Sequence, residues 1–350
     1  MKSSLAVALS GGVDSLVSAA LLKEEGYRLI GLHFVTGYDT GEPYSDESHI
    51  AATMEALARQ LDIPIHIIDL RTEFQQQVVD YFVDTYANGK TPNPCIVCNP
   101  LIKFGILYSK AKELGADRIA TGHYARIEKT DAGRMRLLRG IDGEKEQSYF
   151  LSRLTQDQLA SAVLPLGVLT KAETKRIARK MGLVPITPRE SQDVCFIANG
   201  NYGDFLVHQP GFSFSAGPIE NTLGQTIGEH SGLHRFTIGQ RRGINCPAAE
   251  PYYVVHIDAS RNCLVVGSKA ELCAHGCRVE RINWIAPRPN HPIEIKVRIR
   301  YRHKAVAATL TPVGDACAEI TFLSPEPAVT PGQGAVFYRG NEVLGGGWIQ

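Results

Sequence analysis

No run of apolar residues in this 350-residue chain approaches the ~20 that a bilayer-spanning helix needs. The N-terminus carries one lysine and then an apolar run broken by a glycine turn, which is not a secretory signal. A cytoplasmic protein with no membrane partner is therefore expected. Net charge is almost absent as well: 37 Lys and Arg against 36 Asp and Glu leave +1. Any affinity for nucleic acid must come from a local patch. Internal repeats and low-complexity segments are missing. What remains, 44% hydrophobic and 21% charged residues, describes an ordinary folded chain with room for two or three domains. The eight cysteines suggest catalysis, redox chemistry or metal in a cytoplasmic setting, not a disulfide framework.

The most informative stretch is Ser10-Gly11-Gly12-Val13-Asp14-Ser15. It follows the apolar run Leu5–Leu9 and precedes a helical pattern, so strand, glycine turn and helix N-terminus form a phosphate cradle. Ser10 and Ser15 can add hydroxyl donors, and Asp14 is expected to face Mg2+ or to cap the turn. No Gly-Lys-Ser/Thr closes the loop, which excludes a Walker A site. Enzymes that split ATP into AMP and pyrophosphate to activate an oxygen carry a similar loop.

Up to about residue 200, strand and helix signals alternate as a parallel α/β sheet requires. Leu29–Val35, Ile65–Asp69 and Arg118–Thr121 read as strands, Ile50, Met54, Leu57 and Leu61 recur at helical spacing, and helices are expected near 73–87 and 101–114. Beyond residue 200, short alternating runs such as Tyr252–Ile257 and Lys296–His303, with more Gly and Pro, mark small β domains. The expected division is 1–200, 201–277 and 278–350. Ligands of open α/β sheets sit beyond the strand C-termini, where Ser10–Ser15, Phe34 and Gly122-His123 would meet.

Thr91-Pro92-Asn93-Pro94-Cys95-Ile96-Val97-Cys98-Asn99-Pro100 is the second signal. Its prolines hold the chain extended. Asn99 and Pro100 read as N-cap and first helical residue, which would put Cys98 beside a helix N-terminus that favours thiolate. No second Cys-x-x-Cys or His-x3-His completes a zinc site. Cys195, in Glu190–Phe196, is the third cysteine of interest; Cys246, Cys263, Cys273, Cys277 and Cys317 read as small apolar residues. Lys296, Arg298, Arg300, Arg302 and Lys304 stand at period two, so one strand face would be cationic. Residues 278–304 hold eight Lys/Arg against two Asp/Glu, a local surplus that fits binding to a phosphate backbone. Arg235, Arg241 and Arg242 read as extending that patch, and Tyr301 either stacks on a base or packs inside.

Together these stretches make the chain resemble the tRNA-specific 2-thiouridylases over essentially its whole length. The matching motifs are SGGVDS (10–15), TPNP with CN (91–94 and 98–99), IKFG (102–105), ATGHYAR (120–126), EQSYFL (146–151), CF (195–196), TIGQRRG (237–243), TPGQ (330–333) and GGGWI (345–349). The resemblance implies an adenine-nucleotide α-hydrolase-like domain with a pyrophosphate loop, a small central domain and a C-terminal β-barrel. It implies that ATP adenylates the 2-carbonyl of the wobble uridine and that sulfur arrives from a partner protein as a persulfide on Cys195. Cys98 then attacks, leaving a Cys98–Cys195 disulfide. By the same matching, Ala8, Leu9, Ser10, Gly11, Gly12, Val13, Asp14, Ser15, Phe34 and Gly122 would contact ATP. Asn93, Pro94 and Cys95 would surround the base, and His123, Lys145, Glu146, Gln147, Arg300, Tyr301 and Gln333 would touch tRNA. Two positions depart from the pattern: Leu16 replaces a second serine, and Cys95 stands where an aspartate is usual. Cys95, Cys98 and Cys195 form a set that can hold a [4Fe–4S] cluster, an alternative sulfur carrier for the same reaction. More distant alternatives are an amide-forming synthetase, for which no ammonia source is visible, and a non-catalytic RNA-binding or metal protein.

Overall fold

The computed structural model describes residues 3–38, 46–186, 194–197 and 201–350. Strands β1 (Ser4–Ala8), β2 (Arg28–Val35), β3 (Ile65–Asp69) and β4 (Arg118–Ala120) lie parallel in the order β3-β2-β1-β4. The apolar run of β1 is continuous because both sheet faces are covered; Leu5, Ala6 and Val7 are fully buried. The helices Val13–Glu24 and Glu47–Leu61 cover one face, and Ile50, Met54, Leu57 and Leu61 are all inside, as their spacing requires. β5 (Ala125–Lys129) and β6 (Met135–Arg139) leave the sheet as a hairpin, and β7 (Ala162–Val163) returns to pair with β4.

The other face is covered by two helical stretches, each with a π-helical segment. The first runs Arg71–Phe74, Gln75–Val79 and Asp80–Ala87; the second runs Pro94–Cys98, Asn99–Ile106 and Leu107–Glu113. The second begins at Pro94, one Asn-Pro pair earlier than expected. Asn93 is the N-cap, its Oδ1 accepting from Ile96 N at 3.3 Å. Pro100 does not start a helix but sits within it. Asn99 Nδ2 donates to Cys95 O (3.0 Å) and Gln158 Nε2 donates to Pro100 O (2.7 Å), so side chains satisfy carbonyls in the disturbed turn.

After the helix Tyr202–Val207, β8 (Gly217–Asn221), β9 (Thr226–His230), β10 (Tyr253–Asp258) and β11 (Cys263–Gly267) form a small sheet, order β10-β11-β8-β9, with its own core of Ile219, Phe236, Val254, Leu264 and Val266. β12 (Cys273–Trp284), β13 (Ile293–Arg298), β14 (Val306–Val313), β15 (Cys317–Pro327), β16 (Gly334–Arg339) and β17 (Glu342–Ile349) close into a six-stranded barrel through the β12–β17 pairing. Cys277, expected to mark a boundary, lies inside β12. The expected cationic strand also stops early, at Arg298. There the guanidinium turns back on its own chain, donating to the Tyr301 carbonyl and, at 3.1 Å, to His303 O, which closes a turn.

Three of the links between the first domain and the barrel stand out. β6 adds to the barrel sheet beside β17, Leu137 and Leu138 opposite Val343 and Glu342. The core under the first sheet continues into Val336, Tyr338, Val343 and Trp348. The third link is a buried ion pair: Arg298 Nη1 lies 2.7 Å from Glu146 Oε2, their side chains 11% and 1% exposed. Glu146 Oε1 also accepts from Ser148 N at 2.6 Å. Breaking such a pair from one side strands the other charge. Glu146→Ala should therefore cost about 3–5 kcal/mol, read as a lowered denaturant midpoint. Glu128→Ala, which removes exposed pairs to Arg126 and Arg136, should cost less than about 1 kcal/mol.

Candidate active site

The glycine loop has the geometry its sequence promises. Gly11 takes φ 76° and Gly12 is the N-cap of the helix Val13–Glu24, with no side-chain cap. Ala8 and Leu9 lead in from β1, with Leu9 N bonded to Leu32 O at 2.8 Å. Ser10 is exposed, whereas Ser15 is buried and donates its hydroxyl to Gly12 O at 2.9 Å, tying the loop. Leu16 is fully buried, so that departure places a core residue under the helix. Phe34 lies half-buried near the C-terminal end of β2. Gly122 lies directly against the loop: a Cβ there would come within 3.0 Å of the Asp14 backbone and 3.1 Å of Ser15 N. A side chain there would force the two backbones apart by a few tenths of an ångström.

Asp14, expected to face Mg2+ or cap the turn, makes no side-chain cap; its carboxylate bonds Lys171 Nζ at 2.8 and 2.7 Å and accepts from Tyr124 OH at 2.8 Å. Neither partner was picked out from the sequence. Tyr124 lies in the GHY motif and had a signal; Lys171 had none.

One residue beyond Gly122, His123 turns toward the cysteine helix. It is buried, bonded through Nδ1 to Thr121 Oγ1 (2.7 Å), and its ring lies 6.3 Å from that of Phe104. Burial, assisted by the Lys103 ammonium, holds its pKa well below the ordinary value, so it is neutral at pH 7. Cys95 is half-buried, Cys98 buried and Cys195 exposed. The three thiols feel one another electrostatically. Burial pushes both Cys95 and Cys98 up to about 12, and Lys103 is the cation that opposes this. The expected thiolate at Cys98 is thus not favoured in the resting site. The helix starts at Pro94, so Cys98 is not beside a free N-terminus, and desolvation dominates. Lys103, in the matched IKFG motif, was given no role from sequence; its charge makes it the electrostatic link between the thiols and His123.

Cys195 is placed by its neighbour. Phe196 is 3% exposed and its ring packs against Phe82, Phe205, Phe74 and Tyr38 at centroid distances of 5.2, 5.4, 5.7 and 5.9 Å. The preceding Glu190–Asp193 run lies outside the described residues. Among the described residues, no three His, Cys, Asp or Glu side chains converge into a group able to hold a metal ion. Cys95, Cys98 and Cys195 form no such group in this arrangement. The Cys273-Ala274-His275-Gly276-Cys277 stretch forms no such group either.

Several residues expected to touch tRNA are occupied inside the protein. Glu146 pairs with Arg298. Gln147 exchanges bonds with Tyr124, its Oε1 accepting from Tyr124 N at 3.0 Å and its N donating to Tyr124 O at 2.9 Å. Gln333 Nε2 donates to Pro92 O (2.9 Å) and Thr91 O (3.2 Å), holding the segment that carries Asn93, Pro94 and Cys95. Tyr301 packs on Phe150, centroids 4.3 Å apart. Lys145 is half-buried, while Lys296, Arg300, Arg302 and Lys304 are exposed. With Arg139 and Arg298, Lys296, Arg302 and Lys304 line a cavity of about 480 Å3 that also contains Glu144 and Glu146. Arg241 and Arg242 line a separate depression.

A glycine phosphate loop on a parallel sheet, joined through Gly122-His123 to a cluster of thiols, defines a nucleotide-site protein of the HUP class with two β domains appended. Family models agree: a tRNA methyl transferase HUP domain matches residues 3–199, a PRC-barrel domain 203–268 and an aminomethyltransferase β-barrel domain 274–349. The chain is 51% identical over 346 residues to the tRNA-specific 2-thiouridylase MnmA of Desulfosudis oleivorans, covering 99% of this chain and 94% of that protein. It is 44% identical over 348 residues to the one of Nostoc punctiforme, covering 98% of each. The chain belongs to the tRNA-specific 2-thiouridylase family. Among solved structures, the U34-tRNA thiolase NcsA from Methanococcus maripaludis with its [4Fe-4S] cluster is 22% identical, with a TM-score of 0.36 over 59% of this chain and 64% of that one.

Exposure and charge together set the order of thiol reactivity. Under limiting iodoacetamide at pH 7.5, peptide mass spectrometry should find Cys195 labelled well before Cys98. A raised pKa means that the Cys98 thiolate fraction keeps growing with pH above the ordinary thiol range, so its labelling rate should still be rising at pH 10. A plateau near pH 8–9 would contradict the buried-thiol arrangement.

Proposed function

We propose that this protein is an ATP-dependent tRNA sulfurtransferase that replaces the 2-oxygen of the wobble uridine by sulfur. The observation that carries the reading is the continuity of the two chemistries. Gly122 packs on the phosphate loop, His123 on Phe104, and Lys103 faces His123, Cys95 and Cys98. The names of the relatives specify thiolation, whereas the description of the HUP model specifies methyl transfer; two thiols and a phosphate loop at one site favour the former.

The uracil O2 attacks the α-phosphorus of ATP, pyrophosphate leaves and the N3 proton is lost. ATP would bring Mg2+ on its phosphates. Cys195, the exposed thiol, receives sulfur from a persulfide carrier protein. Its terminal sulfur adds to C2, and AMP departs with the original oxygen. Cys98 then attacks Cys195 Sγ, the S–S bond breaks, and both electrons stay on the sulfur now bound to C2. The products are the 2-thiouridine and a Cys98–Cys195 disulfide, which a thiol reductant reopens. The buried Cys98 must lose its proton for this attack, and Lys103 is the group that stabilises the anion. The exposed Lys296, Arg300, Arg302 and Lys304 supply the cationic surface for the tRNA backbone.

Cys98→Ser should abolish tRNA thiolation, by more than about 100-fold, while ATP–pyrophosphate exchange in the presence of tRNA persists. Thiolation at wild-type rate in that variant would remove Cys98 from the mechanism. Loss of exchange together with thiolation would place the defect before sulfur transfer.

A further inference from the structure

The Lys171–Asp14 ion pair stands on the first turn of the helix that follows the glycine loop. Asp14 is the second residue of the helix Val13–Glu24, whose first-turn N–H groups form the phosphate cradle. An incoming triphosphate would meet a like charge there. Lys171 is the first residue of the helix Lys171–Lys180 and is fixed in place from both sides. A Thr170–Glu173 capping box sets the start of that helix, and Lys171 N donates to Asp142 Oδ2 at 2.8 Å. Only 9% exposed, Lys171 directs its ammonium onto both Asp14 oxygens. Tyr124 OH bonds the same carboxylate and lies 3.0 Å from Thr174 Oγ1 on the Lys171 helix. Two separate elements therefore converge on one acidic side chain of the phosphate loop.

We propose that Lys171 is a positioning residue for nucleotide binding, cancelling the Asp14 charge and holding that carboxylate off the cradle so that a polyphosphate can enter. The proposal rests on the ATP reading above. An unpaired, half-buried carboxylate close to a triphosphate is strongly unfavourable, so the role of Lys171 passes through Asp14 and disappears when Asp14 carries no charge.

The test is calorimetric titration of the full chain with ATP in EDTA, for wild type, Lys171→Met, Lys171→Arg, Asp14→Asn and the Asp14→Asn/Lys171→Met double variant. Lys171→Met should weaken ATP binding by about tenfold or more, Lys171→Arg should retain most of it, and the double variant should bind as Asp14→Asn does, within about threefold. Equal affinity of Lys171→Met and wild type would overturn the proposal. So would a double variant much weaker than Asp14→Asn, since the lysine would then act on the phosphates directly. If Lys171→Met alone fails to fold by its melting curve, the comparison of the double variant with Asp14→Asn still decides. A wild-type protein that neither binds ATP nor catalyses exchange would overturn the nucleotide reading itself.

Discussion

The cysteine loop is built on a backbone that cannot support itself. Pro92 and Pro94 have no N–H to give, and the carbonyls of Thr91 and Pro92 need donors from outside the segment. The barrel supplies them. Gln333 donates to both carbonyls, Pro331 O accepts from Thr91 N at 2.9 Å, and Gly334 O accepts from Tyr149 OH at 3.0 Å. The position of Asn93 to Cys98, and so of the thiols relative to the phosphate loop, depends on a domain about 240 residues further along, as the 242-residue separation of Thr91 and Gln333 measures. The C-terminal domain is part of the wall around the cysteine loop.

Desolvation then sets the resting state of that wall. It holds Cys95 and Cys98 as thiols and His123 as a neutral imidazole, leaving the Lys103 ammonium as the charge they share. A site kept uncharged in this way does not oxidise or alkylate readily while empty. Cys195 is the exposed thiol of the three, placed by the Phe196 socket.

Local chemistry was legible in the sequence, and distant pairing was not. The strand, glycine turn and helix start around Ser10–Ser15 need only consecutive residues, so that geometry was legible. The cysteine helix offered two Asn-Pro starts, Asn93-Pro94 and Asn99-Pro100, with the same capping logic. Asn93 caps the start that forms, and Gln158 donates to Pro100 O and Phe104 O further along the helix; no local rule contains Gln158. The alternation of Lys296 to Lys304 imitates a strand. The Arg298 side chain takes up nearby carbonyls and makes a turn, while the residues keep their alternating exposure. Lys171 meets Asp14 across 157 residues, and nothing in its own helix marks it. The resemblance to a family assigned tRNA contact to Glu146, Gln147 and Gln333; side chains so matched are here the struts that hold the site together.

The addition of β6 to β17 also bears on how the chain is made. Arg134 and its barrel partner Glu342 are 208 residues apart, so on the ribosome the β5–β6 hairpin emerges long before the strand that covers its edge. An unpaired β-edge of this kind is a template for pairing with the wrong chain. The hairpin carries Arg126, Glu128, Lys129, Arg136 and Arg139 along its two strands, charges that guard an open edge during that wait and then find partners, Arg136 on Glu342 among them, once the barrel closes.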